Sequence, residues 1–424
     1  MKPIKHYDVA IIGGGFAGAT AAIAAARQGK RVLLIEKYNA LGGAAVYDLV
    51  NPFMAYWTWT PEEDRPKEKI LLSRGIFEEI VDRLTAEGGM ITDMVFNEEI
   101  LKYVLNTMAV ESGVQLLYQT YVTGVLMDGE RIRSVTVSNV SGTEEIEADV
   151  FIDATGDANL ATMAGCPFTL GRESDHLCQP MTLCFRLANV NSDDVSDTRR
   201  RINLLYKQYQ AEGKIKNPRE NILSFSTSVK SIWHFNTTRV IKLDPTNAEE
   251  VTKAEIIARE QVMELYRFLR ENFEEFRESV LISTGLQIGV RESRMIDGEY
   301  KLTQEDLISC KKFEDGIAAS CYDIDIHSPD GSGTSHYYFP HGEYYTIPYR
   351  CLVPKKASNL LVTGRCVSAT HEAQASLRIM PVCATLGEAA GIGASLMVES
   401  GCTAKDVDVS RLRALLVQNG AVVD

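Results

Sequence analysis

A chain of 424 residues is longer than one hydrophobic core usually organises, so we expect two domains. The net charge of −13 argues against a nucleic-acid partner, because it would repel the phosphates. The nine cysteines show no CxxC spacing, which argues against a disulfide framework, a zinc ribbon or an iron–sulfur run. We therefore expect reduced thiols and no metal site.

The N-terminal sequence gives no sign of a targeting or membrane segment. The first strand is reached by Tyr7, which leaves no room for a signal peptide. The apolar run 9–26 approaches membrane-spanning length, but a glycine turn interrupts it and predicts a buried unit instead. We expect a soluble, cytoplasmic protein with no membrane contact.

Residues 8–36 have the pattern of a dinucleotide-binding unit. A buried strand, 8–12, runs into the glycine turn 13–18, and an alanine-rich helix and a second strand ending in Glu36 follow. An ordinary βαβ unit with a glycine-rich turn would explain neither that terminal acid nor the later Gly42-Gly43 pair.

Each special residue of this unit has a physical reason. Gly13 permits the tight turn, Gly15 lets a pyrophosphate approach the backbone, and Gly18 lets the helix pack closely against the strand. The helix N-terminus offers free N–H groups to the phosphates. Glu36 is placed to accept both hydroxyls of a ribose.

An aromatic loop, 51–59, follows the glycine pair. Its rings could line a cofactor or substrate, or they could plug the core beneath a long loop, and the sequence leaves both open. No cysteine pair follows the glycine pair, so we do not expect disulfide-reductase chemistry.

Two helices and a group of strands are predicted next. The helices cover 70–86 and 98–112, the second with Asn97 as N-cap, and the strands lie within 115–139. A further buried strand, 148–153, leads into Ala154-Thr155-Gly156-Asp157. These small residues would let the chain cross close to a bound nucleotide.

The middle of the chain, 165–350, changes character. Two polar stretches, 193–212 and 248–279, have helical periodicity, and residues 222–243 between them are strand-like. We interpret this region as an inserted substrate or cap domain.

Candidate substrate-binding and proton-transferring residues lie in or beside this insert. Arg291 follows an apolar strand-like segment, and Arg350 closes an aromatic one. An arginine fork suits a carboxylate, and His327 could move a proton near neutral pH. The alternatives are an internal ion pair of Arg291 with Glu292 or a neighbouring acid, and a purely structural turn role for His327.

The last stretch returns to the first domain. Residues 359–364 are predicted to form a buried strand ending in glycine, and 382–397 a small-residue helix after Pro381. The N-terminus of that helix could face negative charge developing on a reduced cofactor. The sequence contains no second glycine turn with a strand and an acid, so we expect no separate NAD(P)H domain.

Together these residues resemble the two-dinucleotide-fold flavoproteins, in the branch of FAD-dependent oxidoreductase-like proteins. That branch is related to the flavin subunit of heterodisulfide reductase and, more distantly, to the fumarate reductase and succinate dehydrogenase flavoproteins. The glycine turn with Glu36 carries the general likeness, and Arg291-Glu292-Ser293-Arg294 with the run 361–391 points to the branch. The resemblance implies an α/β fold, a Rossmann-like FAD/NAD(P)-binding domain with an inserted α+β cap domain, divided as 1–164, 165–350 and 351–424.

The resemblance also implies a non-covalently bound FAD. It places Glu36 at the adenosine ribose and the Gly42-Gly43 pair beside the flavin. It brings the backbone of Val122 to the adenine, and Gly364 with Arg365 to the ribityl-phosphate region. The residues expected at the cofactor are Gly13, Gly15, Phe16, Ala17, Gly18, Glu36, Lys37, Gly42, Gly43, Ala44, Val122, Ala154, Thr155, Gly156, Asp157, Gly364, Arg365, Arg378 and Val382.

The sequence departs from the wider superfamily at three points. Arg365 stands where an acid often follows the C-terminal glycine. No histidine follows the glycine pair to tether the flavin covalently. The cysteine motif that would hold an iron–sulfur cluster is absent.

We interpret the protein as an FAD-dependent oxidoreductase that transfers a hydride between flavin and a small organic substrate, polar or anionic. In this hypothesis Arg291 and Arg350 bind the substrate, and His327 or His371 handles the accompanying proton. The alternatives are an electron-transfer flavoprotein subunit serving a protein partner, a non-catalytic flavin-binding protein, and a plain NAD(P)-dependent dehydrogenase. The sequence leaves open the substrate, the electron donor or acceptor and the oligomeric state.

Overall fold

The computed structural model describes residues 5–64, 66–331 and 333–424. The strands are β1 Lys5–Ile12, β2 Val32–Ile35, β3 Trp57–Trp59, β4 Lys69–Leu71, β5 Gln115–Leu117, β6 Tyr121–Asp128, β7 Arg131–Asn139, β8 Gly142–Asp153, β9 Phe168–Leu170, β10 Phe185–Ala188, β11 Ser224–Ser226, β12 Trp233–Phe235, β13 Val280–Thr284, β14 Arg294–Ile296, β15 Gly316–Ser320, β16 Ile324–His327, β17 Thr334–Tyr337, β18 Tyr345–Pro348 and β19 Leu360–Val362.

The α-helices are α1 Phe16–Arg27, α2 Ala44–Tyr47, α3 Ile76–Ala86, α4 Glu98–Glu111, α5 Asn159–Met163, α6 Val195–Ala211, α7 Ala248–Asn272, α8 Gln304–Ile308, α9 His371–Leu377, α10 Met380–Ser400 and α11 Val409–Gln418. Short 3₁₀ turns lie at Glu274–Phe276, Tyr349–Leu352 and Ala404–Asp406.

The sheet of the N-terminal unit has the strand order β5-β2-β1-β8-β7-β6. β1 lies between β2 and β8, and the three strands are parallel. β8 is long enough to pair with two strands along its other side. Its first half meets antiparallel β7, and its C-terminal end meets parallel β19. The C-terminal segment thus returns to the sheet of the N-terminal unit, and the predicted Rossmann-like α/β fold is confirmed.

Helices α1 and α10 pack with their backbones unusually close. A Cβ on Gly387 would lie 2.1 Å from the carbonyl oxygen of Ala17, and one on Gly391 would lie 2.2 Å from that of Ala21. Small side chains on both helices permit this approach, which buries both in one core. Because Gly387 faces Ala17 and Gly391 faces Ala21, the helices run parallel and begin at the same edge of the sheet.

A second hydrophobic core draws its fully buried side chains from residues 181–288. A sheet of order β11-β12-β10-β13 lies against α6 and α7, and Phe185 stacks on Phe235 with ring centroids 4.8 Å apart. Residues 302–353, by contrast, bury their side chains in the first core. The boundaries of the insert at 165 and 350 stay a prediction.

Several predicted elements differ in extent from those observed. The helix predicted over 70–86 begins only at Ile76, because Gly75 has a positive φ of 65° and Lys69–Leu71 instead pairs with Trp57–Trp59. Within 222–243, β11 and β12 are the strands. The predicted Asn97 cap of α4 is confirmed, since its side chain accepts from the amides of Glu99 and Ile100.

The aromatic loop contributes to the core. Phe53 is fully buried and stacks on Phe96, with ring centroids 4.2 Å apart, and it meets Phe16 and Phe77 edge-on. Of the two alternatives, the structure supports the core plug for this side chain.

One segment of the described chain, α10, has the length and apolar composition of a membrane span. Its most apolar stretch is 94% buried inside the protein. Core helices share these properties, and the packing of α10 against α1 accounts for its composition.

Candidate functional site

The carboxyl ends of four parallel strands lie level at one edge of the main sheet. Ile12 pairs with both Ile35 and Asp153, and Asp153 pairs with Val362. The segments that follow these strands therefore lie side by side: the glycine turn, Glu36, residues 154–157 and residues 363–365. This edge is where open α/β sheets bind their ligands.

The glycine turn leaves no room for a side chain at two of its positions. Gly13 has a φ of 100°, and a Cβ there would lie 2.5 Å from the carbonyl oxygen of Ala154. A Cβ on Gly18 would lie 1.8 Å from the carbonyl oxygen of Gly13. Gly15 is different, because the nearest atom to its Cβ position is the Cα of Gly43 at 3.9 Å. The backbones of Gly15 and Gly43 thus form a shallow cradle that a phosphate could enter.

Two helix N-termini at this edge carry no cap of their own. α1 begins after Gly15 and α10 after Ile379; neither has a side-chain cap or an acid in its first turn. Phe16 and Ala17 open α1, and Pro381 and Val382 are the second and third residues of α10. Uncapped N–H groups and the positive ends of two helices favour an anionic ligand here.

The Glu36 carboxylate lies against the glycine turn. Its Oε2 accepts from the amide of Gly14 and its Oε1 from the amide of Tyr38 at 2.9 Å. Burial raises the pKa of Glu36, although these amides and the charge of Lys37 partly offset the effect. The amide of Thr120 donates to the Glu36 carbonyl at 3.1 Å, which brings the start of β6, and hence Val122, to the same end of the site.

An ion pair bridges the loops after β8 and β19. Arg365 pairs with Asp157, which also accepts from Ser293 Oγ at 2.7 Å. Burial would raise the pKa of Asp157, but the charge of Arg365 and the Ser293 bond outweigh it and lower the pKa. Although Arg365 replaces the usual acid, a carboxylate is therefore present, supplied by Asp157. The Nε of Arg365 is buried and has no partner among the described residues, so it remains available to a ligand.

Further predicted cofactor residues border this group. Gly156 has a φ of 81°, and a Cβ there would lie 3.1 Å from the guanidinium carbon of Arg365. Thr155 Oγ1 donates to Asp153 at 2.7 Å, and a Cβ on Gly364 would lie 3.2 Å from that of Ala17. Gly42 donates its amide to the Gly14 carbonyl at 2.9 Å, and α2 begins at Ala44.

Asp48 is a buried carboxyl that the sequence pattern did not single out. It accepts from Gln287 Nε2 at 2.8 Å, and Tyr38 donates to the other end of the same amide. Burial raises the pKa of Asp48 to about 7, and Arg365 and Lys37 act against that rise. Only the tertiary contact with Gln287 marks this position, since its local sequence is that of an ordinary turn.

Arg291 is half-buried in the insert, and among the described residues no carboxylate is hydrogen-bonded to it. Its guanidinium donates to the carbonyl of Pro180 at 2.7 Å, to Thr182 Oγ1 and to Asn236 at 3.5 Å. Burial, with the charges of Arg219 and Arg378, lowers the pKa of Arg291 to about 9. The internal ion pair with Glu292 that the sequence left open is not formed.

His327 is held by two neighbours in the insert. Its Nε2 lies 3.4 Å from Asp325 Oδ2, and its Nδ1 lies 3.0 Å from Thr334 Oγ1. Burial and the charge of Arg291 lower the pKa of His327 to about 3 despite Asp325. The alternation of Asp325 and His327 at i and i+2 on β16 is a sequence signal for this pairing.

His371 and Arg350 lie in different environments. His371 is buried at the start of α9 with its Nδ1 2.8 Å from Glu292 Oε1, and it lines a cleft of about 430 Å³. Arg350 lies apart at the surface, paired with Asp315 through Nε at 2.8 Å. The structure thus brings Arg291 and His327 together and leaves Arg350 outside their group.

Residues 291–294 connect these environments. Arg291 points to the interior of the insert, Glu292 to His371, and Ser293 to Asp157 beside the glycine turn. Arg294 donates to the carbonyl of Asp157 at 3.0 Å. Consecutive residues therefore link the candidate substrate side to the candidate cofactor side.

A model described as FAD dependent oxidoreductase matches residues 8–416, nearly the whole chain. Among curated proteins, the digeranylgeranylglycerophospholipid reductase of Methanoculleus marisnigri is 31% identical over 170 residues, covering 38% of this chain and 42% of that protein. The enzyme of the same name from Picrophilus torridus is 28% identical over 196 residues, covering 45% and 48%. The matched region thus spans less than half the length of these relatives.

The solved structure of a geranylgeranyl bacteriochlorophyll reductase-like protein from Thermoplasma acidophilum aligns over 98% of this chain and 83% of its own. The alignment has a TM-score of 0.44 and 13% sequence identity.

Proposed function

The chain belongs to the FAD dependent oxidoreductase family, and from that premise we propose that it transfers a hydride between its FAD and a small organic substrate, polar or anionic. It is an FAD-dependent enzyme. We further propose that the FAD is bound non-covalently and that the protein is located in the cytoplasm. We also propose that the chain is related to the flavin subunit of heterodisulfide reductase.

The Gly15–Gly43 cradle and the uncapped starts of α1 and α10 fit a dinucleotide. In this proposal the amides of α1 hold the pyrophosphate, and Glu36 turns from the Gly14 amide to the ribose hydroxyls. The unpartnered Nε of Arg365 would meet the ribityl-phosphate region. When bound, FAD supplies the hydride acceptor or donor.

One observation carries the substrate side: among the described residues, the half-buried Arg291 donates only to neutral oxygens. It lies two residues before Ser293, which contacts the cofactor-side Asp157. A partly buried guanidinium without an ion-pair partner favours a carboxylate or another anionic group. We propose that Arg291 orients the substrate and that His371 takes or gives the proton, because Glu292 holds it and it borders an open cleft. His327 stays neutral and contributes hydrogen bonding, and Arg350 has no part.

Anaerobic titration of the FAD-loaded protein with a panel of small organic acids, alcohols and amines tests the proposal. Bleaching of the oxidised flavin by an acidic member of the panel is the expected result. For Arg291→Gln we expect at least tenfold more of that compound to be needed, and no change for the exposed Arg200→Gln on α6.

The main alternative is an electron-transfer subunit that serves a protein partner. If no small molecule bleaches the flavin but a reduced ferredoxin does, the result would favour that alternative. Flavin that neither reduces would favour a non-catalytic role.

A further inference from the structure

Arginines outnumber the carboxylates around them in the insert and directly beside it. We name this set the arginine cluster; its members are Arg219, Arg239, Arg291 and Arg378, with the carboxylates Glu220 and Asp325. Arg219 and Arg239 are almost fully buried, and Arg378 is largely so.

The two carboxylates of the cluster are shared by more arginines than they can pair with one to one. Arg239 donates to Glu220 Oε2 at 2.7 Å, and Arg219 Nε lies 3.8 Å from the same oxygen. Arg378 reaches Asp325 Oδ2 only at 3.7 Å. Arg291 hydrogen-bonds neither acid, as described above.

Unsatisfied polar atoms concentrate in the same place. The Nε atoms of Arg219, Arg239 and Arg378 are buried donors without a hydrogen-bond partner in the described part of the chain. Oδ1 of Asp325 is also unpartnered, but it is an acceptor and gives no support to an anion. Folded proteins leave few buried polar atoms unpaired, so such a concentration marks a place where a ligand completes the bonding.

The nearby titratable groups do not restore the balance. His327 contacts Asp325 but carries no charge at neutral pH, because burial and Arg291 lower its pKa to about 3. Asp323, the carboxylate two residues before Asp325, is already paired, since its Oδ2 lies 2.5 Å from His336 Nδ1. The cluster thus holds four guanidinium groups and two carboxylates, a formal excess of two positive charges within the named set.

We propose that the arginine cluster binds a small dianion, either a dicarboxylate or a phosphate monoester. The identification of this dianion as the substrate rests on the proposed function. Its binding to the cluster does not depend on that function. Contacts join the two halves of the cluster: Arg378 and His327 both approach Asp325 Oδ2. His327 also contacts Thr334, which donates to Glu220 Oε1 at 2.8 Å. An anion held there can meet several planar guanidinium forks at once. Arg378 lies directly before Ile379, where α10 starts, which turns one side of the cluster toward the cofactor edge.

Calorimetric titration of the FAD-loaded protein at constant ionic strength tests the cluster. The probes are malonate, succinate, sulfate and inorganic phosphate, with acetate and chloride as single-charge controls. We expect at least one dianion to bind tenfold or more tightly than acetate. A preference for malonate or succinate assigns a dicarboxylate, and a preference for sulfate or phosphate assigns a phosphate monoester.

Variants then locate the binding. Arg219→Gln and Arg378→Gln should each weaken the dianion tenfold or more, whereas the exposed Arg200→Gln should leave it unchanged. Circular dichroism checks that each variant is folded. If a variant does not fold, the selectivity of the wild-type protein for dianions over acetate still tests the inference. Equal binding of acetate and every dianion, no dianion binding, or folded Arg219→Gln and Arg378→Gln with wild-type affinity would overturn the inference.

The FAD content, read from the visible spectrum before each titration, separates the two proposals. Protein with FAD but without dianion selectivity contradicts only the cluster. Protein that takes up no FAD contradicts the proposed function, while the calorimetry still reports on the cluster.

Discussion

Glu292 and His371 form a buried pair, with Glu292 Oε1 2.8 Å from Nδ1 of the ring. The second oxygen of Glu292 accepts from the amide of Gln179 at 2.8 Å, so both carboxylate oxygens are engaged. An ionised Glu292 can only accept, so Nδ1 of His371 donates to it, and Nε2 is the ring nitrogen left free of this bond. A histidine oriented this way suits proton transfer at its free nitrogen.

Replacing Glu292 should disturb that orientation. In Glu292→Gln the side-chain amide can accept only one of the two bonds, and its NH₂ group faces the other donor. We expect the ¹⁵N spectrum of the His371 ring to lose its Nδ1–H preference, and turnover to fall about 10²-fold. The matched control is Glu372→Gln, the same substitution at the residue that follows His371 on α9. An unchanged ring spectrum in Glu292→Gln would argue that another group sets the tautomer.

Gly15→Ala separates folding from cofactor binding. The φ of Gly15 is −65°, and an added Cβ would meet nothing closer than 3.9 Å, so the protein should fold with an unchanged melting temperature without FAD. The methyl group would occupy the cradle, and we expect FAD affinity to fall at least tenfold.

Two comparisons frame the Gly15→Ala result. Gly331→Ala, which also adds a methyl in open space, should retain wild-type FAD affinity. Gly18→Ala should fail to fold, because its Cβ would lie 1.8 Å from a carbonyl oxygen. Wild-type FAD affinity in Gly15→Ala would mean that the phosphates do not approach this residue.

Asp48 should impose a pH dependence on stability. Burial raises its pKa to about 7 from an ordinary 3.8, so between these values the folded protein holds a proton that the unfolded chain releases. The stability that Asp48 contributes is complete below pH 3.8 and is lost as the pH rises toward 7, at up to about 1.4 kcal/mol per pH unit.

Urea unfolding of wild type and Asp48→Asn across this range measures the effect. The free energy of unfolding of the wild type, relative to the variant, should fall as the pH rises. A difference that is constant with pH would show that Asp48 ionises normally in the folded protein.

Arg350→Ala tests a residue that the sequence favoured and the structure places elsewhere. Its side chain is 47% exposed and pairs with Asp315, so removing it should cost less than about 1 kcal/mol of stability. FAD content and flavin bleaching should match those of wild type. A loss of bleaching with FAD retained would return Arg350 to the substrate site.

The parts of the site that the sequence predicted are those set by local backbone chemistry. Gly13 and Gly18 were identified because only glycine tolerates the contacts of that turn, and Asn97 because its cap bonds lie within one helical turn. The start of α3 was predicted too early because Gly75, with its positive φ, ends the preceding extended segment.

The parts that the sequence missed depend on contacts between distant segments. Asp48 meets Gln287 from a separate part of the chain, and nothing in its own neighbourhood marks it as buried. Arg219 follows a polar loop and becomes significant only where the fold brings it near Arg291 and Arg378. Buried polar residues of this kind are recognised from the tertiary structure.

The visible absorption spectrum of the purified protein, recorded before and after heat precipitation, tests the central claim most directly. We predict a flavin spectrum that moves entirely into the supernatant, as non-covalently bound FAD requires. A colourless protein that takes up no FAD on reconstitution would contradict the assignment of the site at Gly13–Glu36, and flavin retained in the precipitate would contradict non-covalent binding.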